Sequence, residues 1–257
     1  MICNVRAIGV MKMKDVKRVK TGVYGLDSLL EGGIPEGRVI IVSGSPGAGK
    51  TTLGVQFLRT GAKRGETGIY LSILEDPRVV VQDQSKYEPE LAKMYRDKKL
   101  IFIDAGPLTW GELMAMGNDD QPEESKKLLS PSHLLQRITP LVEEMNVRRL
   151  VIDSSMALRY DYDDGVARKE LTRFIRTLKS LDCTIILLSE LTDPTAYSAE
   201  HFAAQGVIFL HHFMHNREMI RSLQIIKMRG TKHDNQLHPM SFNEEGLVVE
   251  EGGLMLE

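Results

Sequence analysis

Eight consecutive residues, Gly44-Ser45-Pro46-Gly47-Ala48-Gly49-Lys50-Thr51, have the types and spacing needed to hold a chain of phosphates. They fit G-x-x-x-x-G-K-[ST], in which every fixed position has a physical task. Glycines let successive backbone N–H groups curl around a phosphate, and the first turn of a following helix adds partial positive charge. Lys50 reaches the terminal phosphates, the Thr51 hydroxyl can ligate Mg²⁺, and Thr52 extends the contacts one residue into the helix. A chance match in a chain of this length is on the order of one per cent, so an ordinary glycine-rich turn is the weaker reading. The flanks agree with the stronger one. The apolar run Val39 to Val42 precedes the motif, and Lys50 to Arg64 follows it with Leu53, Phe57 and Leu58 on one helical face and Gly65 as a stop.

Phosphate chemistry of this kind needs a carboxylate that holds the metal through water, at the end of a neighbouring buried strand. Two runs end suitably, LIFID at Asp104 and RRLVID at Asp153, and spacing leaves both open. The other reactive groups are weaker signals. His211 and His215 have a four-residue interval that suits a metal on a helix, yet with His212 they fall in a strand-turn region and read as a solvent-facing hairpin. Cys3 and Cys183 have no CxxC spacing and read as unreactive thiols of a reducing compartment.

The elements that must position these residues follow from the apolar pattern. Val39 to Val42, Ile69 to Ile73, Leu100 to Ile103, Leu150 to Ile152, Ile185 to Leu188 and Val207 to Leu210 are continuous rather than alternating, as for strands covered on both faces in a parallel sheet. Helical stretches lie between them, including Arg168 to Leu181 with Leu171, Phe174, Ile175 and Leu178 on one stripe. This alternation predicts a mostly parallel, twisted α/β sheet flanked by helices. Val207 to Phe213 and Ile220 to Met228, separated at His215-Asn216-Arg217-Glu218, predict an antiparallel hairpin that closes the sheet edge. Asn118 to Lys127 reads as a surface loop, and Ser130-Pro131 as a helix start whose helix runs to a kink at Pro140. One domain is expected over 21–250, with a basic tail over 1–20 and a short tail over 251–257.

Composition narrows the functional classes. The 257 residues are 42% apolar and 26% charged, which excludes disorder and a disulfide scaffold. With 33 basic and 35 acidic residues the net charge is −2, so no global field draws the chain to nucleic acid or to an anionic membrane. No apolar run is long enough to span a bilayer, and the start lacks the pattern of a signal peptide, so a soluble cytoplasmic protein is expected. Lys12, Lys14, Lys17, Arg18 and Lys20 read as a solvated tail, or as lying beside a true start at Met11 or Met13.

Several motifs in order carry a family resemblance. Thr21-Gly22, Gly25-Leu26-Asp27, Gly32-Gly33-Ile34-Pro35, the phosphate loop and Lys227-Met228-Arg229-Gly230-Thr231 resemble the RecA-like ATPases of the KaiC type, relatives of RadA and DnaB, from about Val19 to Val249. The resemblance implies a RecA-like P-loop NTPase fold, ATP as nucleotide and Mg²⁺ as its metal. It implies that Glu75 in Leu74-Glu75-Asp76-Pro77 polarises the attacking water, with Asp76 standing where the family usually has a second glutamate. It selects Asp153 as the metal-associated carboxylate and leaves Asp104 structural.

The resemblance further implies that Lys227 and Arg229, which strand alternation would send to one face, act across a subunit boundary on the γ-phosphate of the next protomer. Met228, Thr231 and His233, and more loosely Asn243 and Glu244, fall where the family contacts a neighbour's nucleotide. The implied assembly is a homo-oligomeric ring, usually hexameric, with slow turnover. Phosphotransfer onto the chain itself is not expected, because the family's acceptor segment lies beyond the final strands. Two alternatives differ in class: a recombinase-paralogue-like DNA-repair accessory ATPase, which the charge balance disfavours, and a nucleotide-sensing module with negligible hydrolysis.

Overall fold

The computed structural model describes residues 16–106, 131–155, 164–191, 193 and 199–253. Strands β1 (Arg18–Val19) and β2 (Ile34–Pro35) form a small antiparallel ribbon around helix α1 (Leu26–Leu29). Then come β3 (Val39–Gly44), α2 (Lys50–Lys63), β4 (Thr67–Ser72), α3 (Pro77–Gln84), α4 (Leu91–Arg96) and β5 (Leu100–Asp104). They are followed by α5 (Pro131–Glu144), β6 (Val147–Asp153), α6 (Asp164–Leu178), β7 (Thr184–Glu190) and α7 (Ala199–Ala203). The last four strands are β8 (Gly206–His215), β9 (Glu218–Met228), β10 (His238–Asn243) and β11 (Gly246–Val249).

Among the described residues the main sheet has nine strands in the order β11-β10-β9-β8-β3-β7-β6-β4-β5. The six from β8 to β5 are parallel, and β9, β10 and β11 each run antiparallel to the strand before. This is the RecA-like architecture that the alternating pattern and the resemblance predict, with a C-terminal antiparallel hairpin. Every continuous apolar run lies within or overlaps one strand, because both faces are covered. In β3, Ile40 and Val42 join the core cluster that α2 covers with Leu53, Val55, Phe57 and Leu58. Val39 and Ile41 join the opposite cluster, covered by Leu134, Ile138 and Val142 of α5 and by Leu171, Phe174, Ile175 and Leu178 of α6. Each such fully buried side chain contributes about 1.5–3 kcal/mol.

Two local expectations change. The β8–β9 hairpin forms but does not close the sheet, because β10 and β11 continue it to the edge. The first of these reads HPMSFN, in which Pro239 and three polar side chains hide the strand from an apolar-pattern search. As expected, helix α5 runs through Pro140, and it ends at Glu144; the missing N–H falls opposite the carbonyl of the exposed Gln136. Residues 16–20 are not all tail, since Arg18 and Val19 pair with Pro35 and Ile34. The expected loop at Asn118 to Lys127, the cap at Ser130, Cys3 and the basic residues Lys12 and Lys14 lie outside the described residues.

Candidate functional site

The phosphate loop joins the end of β3 to the start of α2 at the carboxyl end of the parallel strands. Gly49 takes φ +104°, and a Cβ there would come within 2.8 Å of Leu247 Cδ1 and Phe242 Cζ, so the loop closes only with glycine at this position. Ser45, Pro46 and Gly47 form the open rim, while Ala48 is buried beneath. Lys50 is buried, and its Nζ donates to Gly44 O at 2.8 Å and Ser45 O at 2.9 Å. Burial lowers the Lys50 pKa, against which the Glu190 and Asp153 charges hold the ammonium form.

Sheet order sets the two candidate aspartates in different places. Strand β6 lies closer to β3 than β5 does, with β7 between β3 and β6, whereas β5 is the outermost strand. Asp153 therefore faces the loop: Thr51 Oγ1 donates to its Oδ2 at 3.1 Å, and the Tyr70 hydroxyl donates to the same oxygen. Asp104 is exposed and accepts from Gly106 N at 2.9 Å, as a cap of its own turn. Burial raises the Asp153 pKa, opposed by the bonds from Tyr70 and Thr51 and by the Lys50 charge. Burial, then the Asp153 charge, pushes the Tyr70 phenol well above its ordinary value, so it remains a donor.

Glu75 follows β4 at the mouth of the same cleft. Desolvation raises its pKa, with further contributions from Asp153 and Asp83. Glu75, Asp83, Asp153 and Glu190 all line this one cleft of about 700 Å³ together with Lys50, Thr51 and Thr52. Asp83 and Glu190 were not singled out by pattern, since neither belongs to a motif. In this lining the four acids outnumber the three cations Lys50, Lys86 and Arg221, and Thr51 and Asp153 converge as hard oxygen donors, so the donor set fits Mg²⁺. Among the described residues no three His, Cys, Asp or Glu side chains converge as a metal site by themselves. The metal would therefore rest largely on phosphate and water oxygens.

Asp76 takes a different place from Glu75. Its carboxylate caps α3 by accepting from Arg78 N at 2.8 Å, and it pairs with the Arg78 guanidinium, whose bonds lower its pKa. A carboxylate one residue before Pro77 is a natural helix cap, and Asp76 does not line the cleft.

The far wall of the cleft comes from residues that no sequence motif marks. The Tyr87 and Phe242 rings stack at 6.1 Å, and the Arg221 guanidinium lies 5.3 Å from the Phe242 centroid. Arg221 Nε also donates to Gly47 O at 3.4 Å, which ties this wall to the loop. Asn243 and Glu244 line an adjoining recess with Arg59, Lys63 and Glu88, and the two clefts share Lys86 and Tyr87. The histidines serve the hairpin: His211 is half-buried beside Phe209 at 4.6 Å and bonds Gln224 Oε1 at 3.1 Å, and burial lowers its pKa.

Lys227 and Arg229 lie away from this cradle. Lys227 pairs with Val207, which is one register step from Gly206 opposite Ile40, so its backbone sits roughly 10 Å behind Gly44 at the strand rise. Its Nζ donates to the carbonyls of His201, Phe202 and Ala204 at 3.1, 3.3 and 2.7 Å, around the C-terminal end of α7. Strand alternation ends at Met228, which is buried in the core, and Arg229 follows in an exposed turn. Thr231 and His233 continue this segment, half-buried, with His233 Nδ1 against Asp234 O at 2.8 Å. The structure thus brings together Lys50, Thr51, Glu75 and Asp153, and sets Lys227, Arg229 and Thr231 toward the opposite end of the sheet, with His233 in the loop that leads back to β10.

Comparison with known proteins places this arrangement among relatives. The family model described as "ATPase: KaiC" matches residues 19–253. The chain is 31% identical over 243 residues to the circadian clock oscillator protein KaiC of Picosynechococcus sp., covering 92% of this chain and 45% of that protein. It is 30% identical over 240 residues to KaiC of Synechococcus elongatus, covering 91% and 44%. The UPF0273 protein SSO1861 of Saccharolobus solfataricus is 34% identical over 241 residues, covering 91% of this chain and 83% of the relative. The chain thus spans less than half the length of the KaiC proteins that it matches.

Proposed function

Because the chain belongs to the KaiC ATPase family and has its ATP-binding RecA-like fold, we propose that it is a Mg²⁺-dependent ATP hydrolase whose active site is completed by Arg229 of a neighbouring copy in a ring. The observation that carries this reading is the division of the machinery: Lys50, Thr51, Glu75 and Asp153 share one cleft, while Arg229 stands exposed at the other end of the same sheet.

In this reading the loop amides and Lys50 bind the phosphates, Lys50 exchanging its bonds to Gly44 O and Ser45 O for phosphate oxygens. Thr51 and Asp153 would hold Mg²⁺, which when bound would supply positive charge to the phosphates. Glu75 orients a water in line with the γ-phosphorus and accepts its proton; the P–O bond to the β-phosphate breaks, giving ADP and phosphate. The raised Glu75 pKa suits a proton acceptor, because a carboxylate held well below neutrality is a poor base. The stacked Tyr87–Phe242 wall offers a flat surface for the adenine ring.

A cluster of like charge supports the trans contact. Burial lowers the Lys179 pKa, and Arg229, Arg176 and Arg38 lower it further, so these cations lie close together with Lys227. Lys179 and Lys227 are committed to the carbonyls at the end of α7, whereas Arg229 lies in an exposed turn. A neighbour's cleft with its surplus acids and triphosphate would relieve the repulsion. Mixing Lys50→Ala with Arg229→Ala subunits tests this: each pure protein is inactive or slow, and the mixture regains ATP turnover at interfaces that pair an intact cradle with an intact arginine. A mixture no faster than the mean of its components contradicts the trans assignment. Among the described residues no helix is long and apolar enough to cross a membrane.

A further inference from the structure

We propose that Arg18 is a positioning residue for Arg229, holding the turn from which that side chain reaches the neighbouring active site; this rests on the trans reading of Arg229. Arg18 sits in β1, in a stretch whose composition alone suggests a solvated basic tail. Its side chain is only 17% exposed. Nη1 donates to the Thr231 hydroxyl, and more weakly to Leu30 O at 3.3 Å and Gly33 O at 3.4 Å. Nη2 donates to Gly230 O at 3.1 Å and to Glu31 Oε2 at 2.8 Å. One planar guanidinium thus ties the N-terminal ribbon to the two residues that follow Arg229.

The turn has little else to hold it on that side. Upstream, Arg229 N donates to Gln205 O at 2.9 Å, which anchors it to the sheet. Downstream, Thr231 N donates to Met228 O at 3.2 Å within the turn itself. Gly230 takes φ +78°, and a Cβ there would meet nothing within 4 Å, so packing does not fix the turn. The next ties are distant along the loop, at Asn235 O from Gln224 and at the Asp234–His238 pair. Arg18 is therefore the group that converts a loose reversal into a fixed starting point. Catalytic cations lose rate steeply when displaced: a shift of about 1 Å costs on the order of a hundredfold.

A lysine cannot replace it, since a single ammonium lacks the fork that bonds Gly230 O and the Thr231 hydroxyl together. We therefore expect Arg18→Ala and Arg18→Lys both to lower kcat for ATP by about tenfold or more, with KM within about twofold, because the cradle of the same chain is untouched. Thr231→Val, which removes one of the bonds while leaving β1 intact, lowers kcat by a smaller factor and shows the effect even if Arg18 variants fold poorly. The double variant Arg18→Ala/Arg229→Ala is no slower than Arg229→Ala alone.

The distinguishing readout is subunit mixing. Arg18→Ala subunits have an intact cradle, so Lys50→Ala subunits rescue them in trans toward about one quarter of the wild-type rate at equal, random mixing. A purely structural defect inside the Arg18→Ala subunit is not rescued. Rescue of Arg229→Ala but not of Arg18→Ala by Lys50→Ala overturns the positioning role and leaves the trans reading standing; rescue of neither overturns the trans reading itself. Wild-type kcat for folded Arg18→Ala or for Thr231→Val also overturns the proposal.

Discussion

Replacing Tyr70 by phenylalanine isolates the least visible part of the site. The Tyr70 hydroxyl and Thr51 Oγ1 are donors to Asp153 Oδ2, and Asp153 is the carboxylate that the proposed mechanism gives to the metal. The ring itself stays in place, stacked on Phe102 at 5.4 Å. The substitution therefore removes one bond to a buried carboxylate and leaves the packing. A hydrogen bond to a charged group contributes about 1.5–3 kcal/mol, so losing this one disfavours the ionised form and the Asp153 pKa should rise further. Metal binding needs the ionised form, so the pH midpoint of Mg²⁺-dependent nucleotide binding should move up with it.

Titrating a fluorescent ATP analogue with and without Mg²⁺ from about pH 5 to 9 reads this directly. Binding without Mg²⁺ serves as the control and should move little. Unfolding of the metal-free protein gives a second readout. Because burial raises the Asp153 pKa above its ordinary value of 3.8, the folded state binds this proton more tightly than the unfolded one. The Asp153 contribution to stability is thus fully present below pH 3.8 and falls as pH rises through the folded value; Tyr70→Phe extends that window upward. An unshifted midpoint in a folded Tyr70→Phe protein refutes the assignment of Asp153 to the metal.

Three further outcomes follow from the same geometry. Glu75→Gln should lower ATP turnover by about a hundredfold or more while leaving nucleotide affinity within a few-fold, measured by phosphate release and by binding. Asp76→Ala removes the cap of α3 and the Arg78 pair, so it should lower the thermal midpoint while leaving kcat within about twofold. Burial pushes the Cys183 thiol up to about 12, so it should resist thiol reagents at about pH 8 until the protein unfolds.

What was legible in the sequence was local. The loop from Gly44 to Thr51, its flanking strand and helix, and the six apolar strand cores depend on neighbours within one element, and all appear where the pattern places them. Asp153 could not be chosen over Asp104 by spacing, because the choice depends on strand order, which only the folded sheet supplies. Tyr87, Phe242 and Arg221 escape a pattern search, and Arg18 reads only as basic tail, for a related reason. Arg221 and Phe242 approach Gly47 and Tyr87 from more than 150 residues downstream, and Arg18 meets Thr231 across 213 positions. Lys227 shows what pattern reading omits. Alternation with Arg229 suggests two equivalent cations, but the strand ends at Met228: the Lys227 ammonium bonds the carbonyls at the end of α7, and Arg229 lies in an exposed turn.

The central claim is that one chain supplies the cradle and its neighbour the arginine. The most direct measurement is the rate of ATP hydrolysis per chain as protein is diluted through its assembly range, with the oligomeric state followed in parallel by sedimentation. The account predicts a rate that falls in step with the loss of the ring, to a small residue in the monomer. A monomer that hydrolyses ATP as fast as any assembled form would contradict it.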